Sequence, residues 1–110
     1  MKTYVFDIDG TVCTISDPDY VNAKPFSDRI KIINKLYDDG NIVIFYTARG
    51  MGRTNNSYDD ANRLLYDFTK DQLDLWGIRY HNLFLGKPTG DIYVDDKCIN
   101  DDDFFTRLKN

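Results

Sequence analysis

Histidine is almost absent from this sequence: there is one, His81. Cysteine is scarce as well, with only Cys13 and Cys98. Without a histidine–thiolate cluster there is nothing of the kind that holds zinc. Two thiols with no other sign of secretion read as free cysteines in a reducing compartment, and Cys13 reads as a packed residue rather than a reactive one. No apolar run approaches the roughly 20 residues a membrane span needs. Met1-Lys2-Thr3-Tyr4 runs straight into a strand-like segment, without the apolar stretch and cleavage site of a signal peptide. The expected location is cytoplasmic. Basic residues are the minority, 14 against 18 acidic, for a net charge of −4. That balance argues against a nucleic-acid partner, which asks for a basic face. There is no internal repeat and no low-complexity tract.

What is present fits one globular domain, residues 1–110, with 42% hydrophobic and 15% aromatic residues. Thr3-Tyr4-Val5-Phe6 is a β-branched and aromatic run and reads as a buried strand. Ser27 reads as an N-cap, followed by Ile30, Ile33, Leu36 and Tyr37 at helical spacing, with Gly40 as the terminating glycine. Ile42 to Tyr46 is apolar throughout, as a strand covered on both faces should be. A polar loop, Gly50 to Asn56, leads into a long helix from about Tyr58 to Trp76, closed by Gly77. Leu83-Phe84-Leu85 reads as a third strand and Ile92-Tyr93-Val94 as a fourth. A short helix from Asp102 to Leu108 follows, and Phe104, Phe105 and Trp76 read as core. Strands alternating with helices predict an α/β fold: a three-layer, Rossmann-like parallel sheet with helices on both faces.

Such sheets bind ligands beyond the carboxyl ends of their strands. After the first strand stand Asp7, Asp9, Gly10 and Thr11. After the second stand Thr47, Ala48 and Arg49. After the third stand Gly86, Lys87 and Pro88, and after the fourth Asp95 and Asp96. One aspartate after a strand is an ordinary turn residue. Four strands ending in complementary charges is a site. Unit charges about 4 Å apart at an effective dielectric near 20 interact by about 4 kcal/mol, so several carboxylates together call for a cation. Hard oxygen ligands favour Mg²⁺ over Zn²⁺. His81 lies before the third strand and reads as a loop residue, not a ligand.

Phe6-Asp7-Ile8-Asp9-Gly10-Thr11, then Thr47, Lys87 and Asp95-Asp96 in that order, resemble the four motifs of the haloacid dehalogenase superfamily of phosphohydrolases, over nearly the whole chain. The resemblance implies that Asp7 attacks phosphorus to form an aspartyl-phosphate. It implies that Asp9 first protonates the leaving oxygen and then activates water. Gly10 would let the chain turn away from the phosphate. Thr47 and Ala48 would meet the phosphoryl oxygens, and Lys87 would neutralise phosphate and Asp7 together. Mg²⁺ would be held by Asp7, the Asp9 carbonyl and Asp95, with Asp96 ligating, bridging through water or orienting Lys87. Thr47-Ala48-Arg49 resembles the threonine-x-arginine arrangement of small phosphatases, with Arg49 on a substrate phosphate or carboxylate. Arg53 is a further candidate for substrate contact.

The interval Val12 to Phe26 is long enough for a flap and too short for a cap domain. Gly50 to Gly86 holds one loop, one helix and one strand. The expectation is a capless member with an open site, shaped by the Cys13 to Asn22 flap, by Tyr20, Arg53 and Tyr58, or by the walls of a homo-oligomer. Short length and local motifs are similar to the capless phosphatases of bacterial capsular or surface polysaccharide synthesis. That analogy implies a sugar, polyol or amino-alcohol phosphate as substrate. Two alternatives stand beside it: a nucleic-acid 3′-end phosphatase, and a non-catalytic binding scaffold of the same fold.

Overall fold

A computed structural model of the chain describes residues 1–108. Three strands form one parallel sheet: β1 (Thr3–Phe6), β2 (Ile42–Thr47) and β3 (Asn82–Leu85), in the order β1-β2-β3. The register sets Phe6 opposite Phe45, and Phe45 opposite Leu83. Each parallel neighbour is reached through a helical crossover, as parallel pairing requires. Those crossovers are α1 (Ser27–Asp38) and α2 (Tyr58–Leu75), and α3 (Asp101–Leu108) follows the sheet. The helix ends have local causes, and one departs from expectation. Phe26, not Ser27, is the N-cap of α1, and it supplies no side-chain cap. Ser57 caps α2, its Oγ accepting the Asp60 N–H at 3.3 Å. Gly40 and Gly77 end α1 and α2 in the left-handed region, φ 94° and 73°.

Phe6, Val43, Phe45, Leu83 and Leu85 share one face, two residues apart along each strand. Residues of all three helices join them there: Ile30 and Ile33, Leu73, and Phe105. Phe104 and Phe105 close on Phe6 with ring centroids 5.6 and 6.0 Å away. Trp76 is half-buried against the same core. Cover is uneven between the two faces. On the opposite face Val5 is 60% and Phe84 48% exposed, and Ile42, Ile44 and Tyr46 are only half-buried. The apolar run in β2 therefore alternates in burial rather than being enclosed throughout.

The fourth strand is a correction. Ile92-Tyr93-Val94 does not join the sheet, and Ile92 and Val94 are 82% and 93% exposed. No helix separates β3 from this segment, and Tyr93 lies near the outer edge of β1 without pairing to it. A cavity of about 390 Å³ lies between, lined by β1 on one side and by Tyr93 and residues 97–100 on the other. No helix among the described residues is long and apolar enough to cross a membrane, and Cys13 and Cys98 are free thiols.

Candidate active site

β1 and β3 deliver one charged pair. Asp7 follows β1, and Lys87 follows Leu85 and Gly86 at the end of β3. Lys87 Nζ lies 3.8 Å from Asp7 Oδ1, and both residues line the 390 Å³ cavity together with Thr11 and Tyr93. Burial pushes the Asp7 carboxyl above its ordinary range, and outweighs the opposing pull of Lys87 and of the Ile8 backbone amide. Lys87 is steadied from below: its Nζ stands 4.3 Å from the centre of the Tyr93 ring. The Tyr93 hydroxyl in turn donates to the Pro88 carbonyl at 2.7 Å. Tyr93 had no signal in the sequence beyond its strand-like neighbours. Its part here depends on the segment being unpaired.

Gly10 turns the chain at φ +84°. A tight loop follows, with Thr11 and Val12 N–H both donating to the Ile8 carbonyl. That turn sends Asp9 away from Asp7 and toward the end of β2. There Asp9 meets Arg49, which corrects the expectation for that arginine. Arg49 is 1% exposed, and its guanidinium is committed to Asp9 rather than open to substrate. Nε donates to Asp9 Oδ2 at 2.9 Å and Nη2 to Oδ1 at 3.0 Å. A charge buried so deeply requires such a partner, whereas spacing alone could not tell a buried arginine from an open one.

Thr47 is also buried, its Oγ1 accepting the Arg49 N–H at 3.1 Å. That leaves the hydroxyl proton as its free donor. Ala48 is half-buried, and its carbonyl accepts the Met51 N–H. Arg53 is exposed and reaches the flap, donating from Nη2 to the Pro18 carbonyl at 3.2 Å. Tyr20, expected at the substrate, is instead buried with its ring over Arg49. Tyr58 packs over Gly86, where an added Cβ would run into its ring. His81 is an exposed loop residue whose Nδ1 accepts the Val43 N–H at 3.1 Å.

The donor chemistry for a hard divalent cation is partly assembled. The Asp7 carboxylate and the Asp9 carbonyl are oxygen donors on one turn, and no turn or loop N–H among the described residues donates to that carbonyl. Asp95 and Asp96 are not beside them. Both are exposed, with Asp95 Oδ1 taken up by the Lys97 N–H at 2.9 Å. No three acidic, histidine or cysteine side chains converge among the described residues.

No protein-family model and no curated protein matches the chain. Solved structures do. A structural-genomics protein from Vibrio cholerae superimposes with a TM-score of 0.87 at 24% identity, over 99% of this chain and 97% of that one. A D,D-heptose 1,7-bisphosphate phosphatase from B. bronchiseptica, crystallised with magnesium and phosphate, gives a TM-score of 0.54 at 21% identity. That match covers 89% of this chain and 54% of the phosphatase, about half its length. The fold is haloacid dehalogenase-like. It is a small α/β form, with a three-stranded parallel sheet and no cap among the described residues.

Proposed function

We propose that this protein is a phosphomonoester hydrolase working through Asp7. The observation that carries the reading is the Asp7–Lys87 pair at 3.8 Å, just past the carboxyl ends of β1 and β3 and lining the cavity that runs along the β1 edge. A phosphate dianion needs a cation beside it and a nucleophile in line with phosphorus. Lys87 supplies the first and Asp7 the second. The Asp7 carboxylate oxygen forms a bond to phosphorus as the bond to the leaving oxygen breaks. Asp9 gives that oxygen a proton. A water molecule then attacks the same phosphorus and loses its proton to Asp9, so inorganic phosphate departs and the Asp7 carboxylate is restored. Thr47 donates its hydroxyl to a phosphoryl oxygen.

Asp7, the Asp9 carbonyl and Asp95, with Asp96 beside it, would hold Mg²⁺, which when bound neutralises charge on the phosphoryl oxygens. In the structure Asp95 and Asp96 stand exposed and apart from Asp7, so their place in the set rests on the resemblance of Asp95-Asp96 to the fourth motif. The substrate class we favour is a small sugar, polyol or amino-alcohol phosphate, in the cytoplasm and in the service of surface polysaccharide synthesis. Support comes from the absent cap, the acidic net charge and a fold neighbour that acts on a heptose bisphosphate. A second copy of the chain would wall off the open site.

The test is phosphate release from p-nitrophenyl phosphate and from sugar, polyol, amino-alcohol and nucleotide phosphates, with Mg²⁺ and with chelator. Activity with Mg²⁺ that disappears in Asp7→Asn is the expected result. Full activity in that variant overturns the assignment of the nucleophile. A 3′-phosphorylated oligonucleotide outperforming every small ester would move the substrate class to nucleic-acid ends.

A further inference from the structure

Arg49 stands two residues beyond the end of β2, and its burial leaves it one ionic partner. The contact is a two-point fit: two guanidinium nitrogens each donate to a different Asp9 oxygen, at 2.9 and 3.0 Å. A lysine ammonium cannot reproduce that fork. The guanidinium is itself held from three directions. Nη1 donates to Thr69 Oγ1 of α2 at 3.4 Å. The Tyr20 ring lies over the guanidinium carbon, 4.6 Å from centroid to Cζ. The Cys13 sulfur sits 4.0 Å from Nη2. Tyr20 is anchored in turn, its carbonyl accepting the Gln72 side-chain N–H at 2.8 Å. Flap, α2 and the end of β2 therefore fix one guanidinium.

A guanidinium fixed in this way fixes the carboxylate it grips, because rotating the Asp9 carboxyl breaks both hydrogen bonds at once. Each carboxylate oxygen has two acceptor positions. Oδ1 accepts from both Arg49 Nη2 and the Cys13 thiol at 3.6 Å, whereas Oδ2 accepts from Arg49 Nε alone, so Oδ2 keeps a free position on a side chain that is 19% exposed. We infer that Arg49, clamped by Tyr20 of the flap, is the positioning residue that aims the Asp9 carboxyl at the leaving oxygen. The inference rests on the phosphatase reading above. Proton transfer in a transition state depends on placement: general acid catalysis is worth about 10²–10⁴-fold, and a misplacement of about 1 Å can forfeit about 10² of it.

A pair that only stabilised the fold would slow every substrate alike when broken. Aim on the leaving oxygen has a different signature, because a weakly basic leaving group departs without a proton and a strongly basic one does not. The experiment compares phenyl phosphate with p-nitrophenyl phosphate, two aryl esters whose leaving groups differ in basicity. In folded Arg49→Gln, kcat for phenyl phosphate is expected to fall at least about tenfold more than kcat for p-nitrophenyl phosphate. Arg49→Lys should show the same bias, more weakly. Equal losses on both esters would overturn the inference while leaving the phosphatase reading intact. Turnover of neither ester by the wild-type protein would overturn both. Should Arg49→Gln fail to fold, the charge-neutral double variant Asp9→Asn, Arg49→Gln carries the test. Its kcat on each ester should equal that of Asp9→Asn alone, and a further tenfold loss contradicts the inference.

Discussion

Burial acts on Asp7 and on Cys13 in the same direction, with opposite consequences for chemistry. For Asp7 the carboxyl is pushed up from its ordinary value. A carboxyl raised on folding adds stability only while it is protonated, at low pH, and that contribution is lost as pH rises through the folded value. At neutral pH the ionised Asp7 is thus a cost to the fold, only partly offset by Lys87. Asp7→Asn in chelator at pH 7 should raise Tm, and the gap should close on acidification. A lower Tm than wild type would show that Lys87 outweighs burial. Cys13 has no exposed surface, and burial followed by the nearby Asp9 charge pushes its thiol to about 12. A thiol held protonated is a poor nucleophile. Ellman's reagent should therefore titrate one thiol in the native protein, the exposed Cys98, and two in denaturant.

At the scale of elements, the helix starts and stops are local chemistry and can be tested singly. Ser57→Ala removes the side-chain cap of α2 and should cost about 1 kcal/mol in urea unfolding. The three paired strands and the two long helices were legible because their residues follow a period of two or of 3.6. Glycines at φ 94° and 73° punctuate the helices where the sequence placed them. Ile92-Tyr93-Val94 has the same β-branched and aromatic character but no pairing, since whether a strand forms depends on an edge elsewhere in the chain. That Arg49 would turn inward onto Asp9 was not legible, because burial belongs to the assembled core. If Asp95 completes a cation site with Asp7, the amides of Ile92–Asp96 should exchange with solvent several-fold more slowly when Mg²⁺ and phosphate are added. Unchanged exchange there would remove Asp95 from the ligand set.

For the whole molecule, the cover over β1 comes from far away in sequence. Tyr4 and Phe6 pack against Phe104 and Phe105. Arg29 of α1 binds α3 through Asp101 and Asp102, both at 2.6 Å, while also donating to the Thr11 carbonyl at 3.0 Å. Phe105→Ala should cost about 3–5 kcal/mol, a large share of the roughly 5–15 kcal/mol that holds a domain together. An unfolding midpoint close to that of the wild type would mean that α3 is dispensable. The parallel pairing of the strands and the absent cap could be anticipated from the order of strands and the length of the intervals. The uneven cover of the two faces could not, because which face the helices cover is decided by the assembled fold rather than by any residue's character.

The distance along the chain between β1 and α3 also sets an order of events on the ribosome. At about 5–20 residues per second, β1 emerges several seconds before its cover. Through that interval Tyr4 and Phe6 have β2 beside them but no lid, while the turn carrying Asp7 and Asp9 is already made. The nascent chain would carry Asp7 and Asp9 before it holds its shape, and a chaperone that recognises apolar strands would find β1 the longest-waiting target.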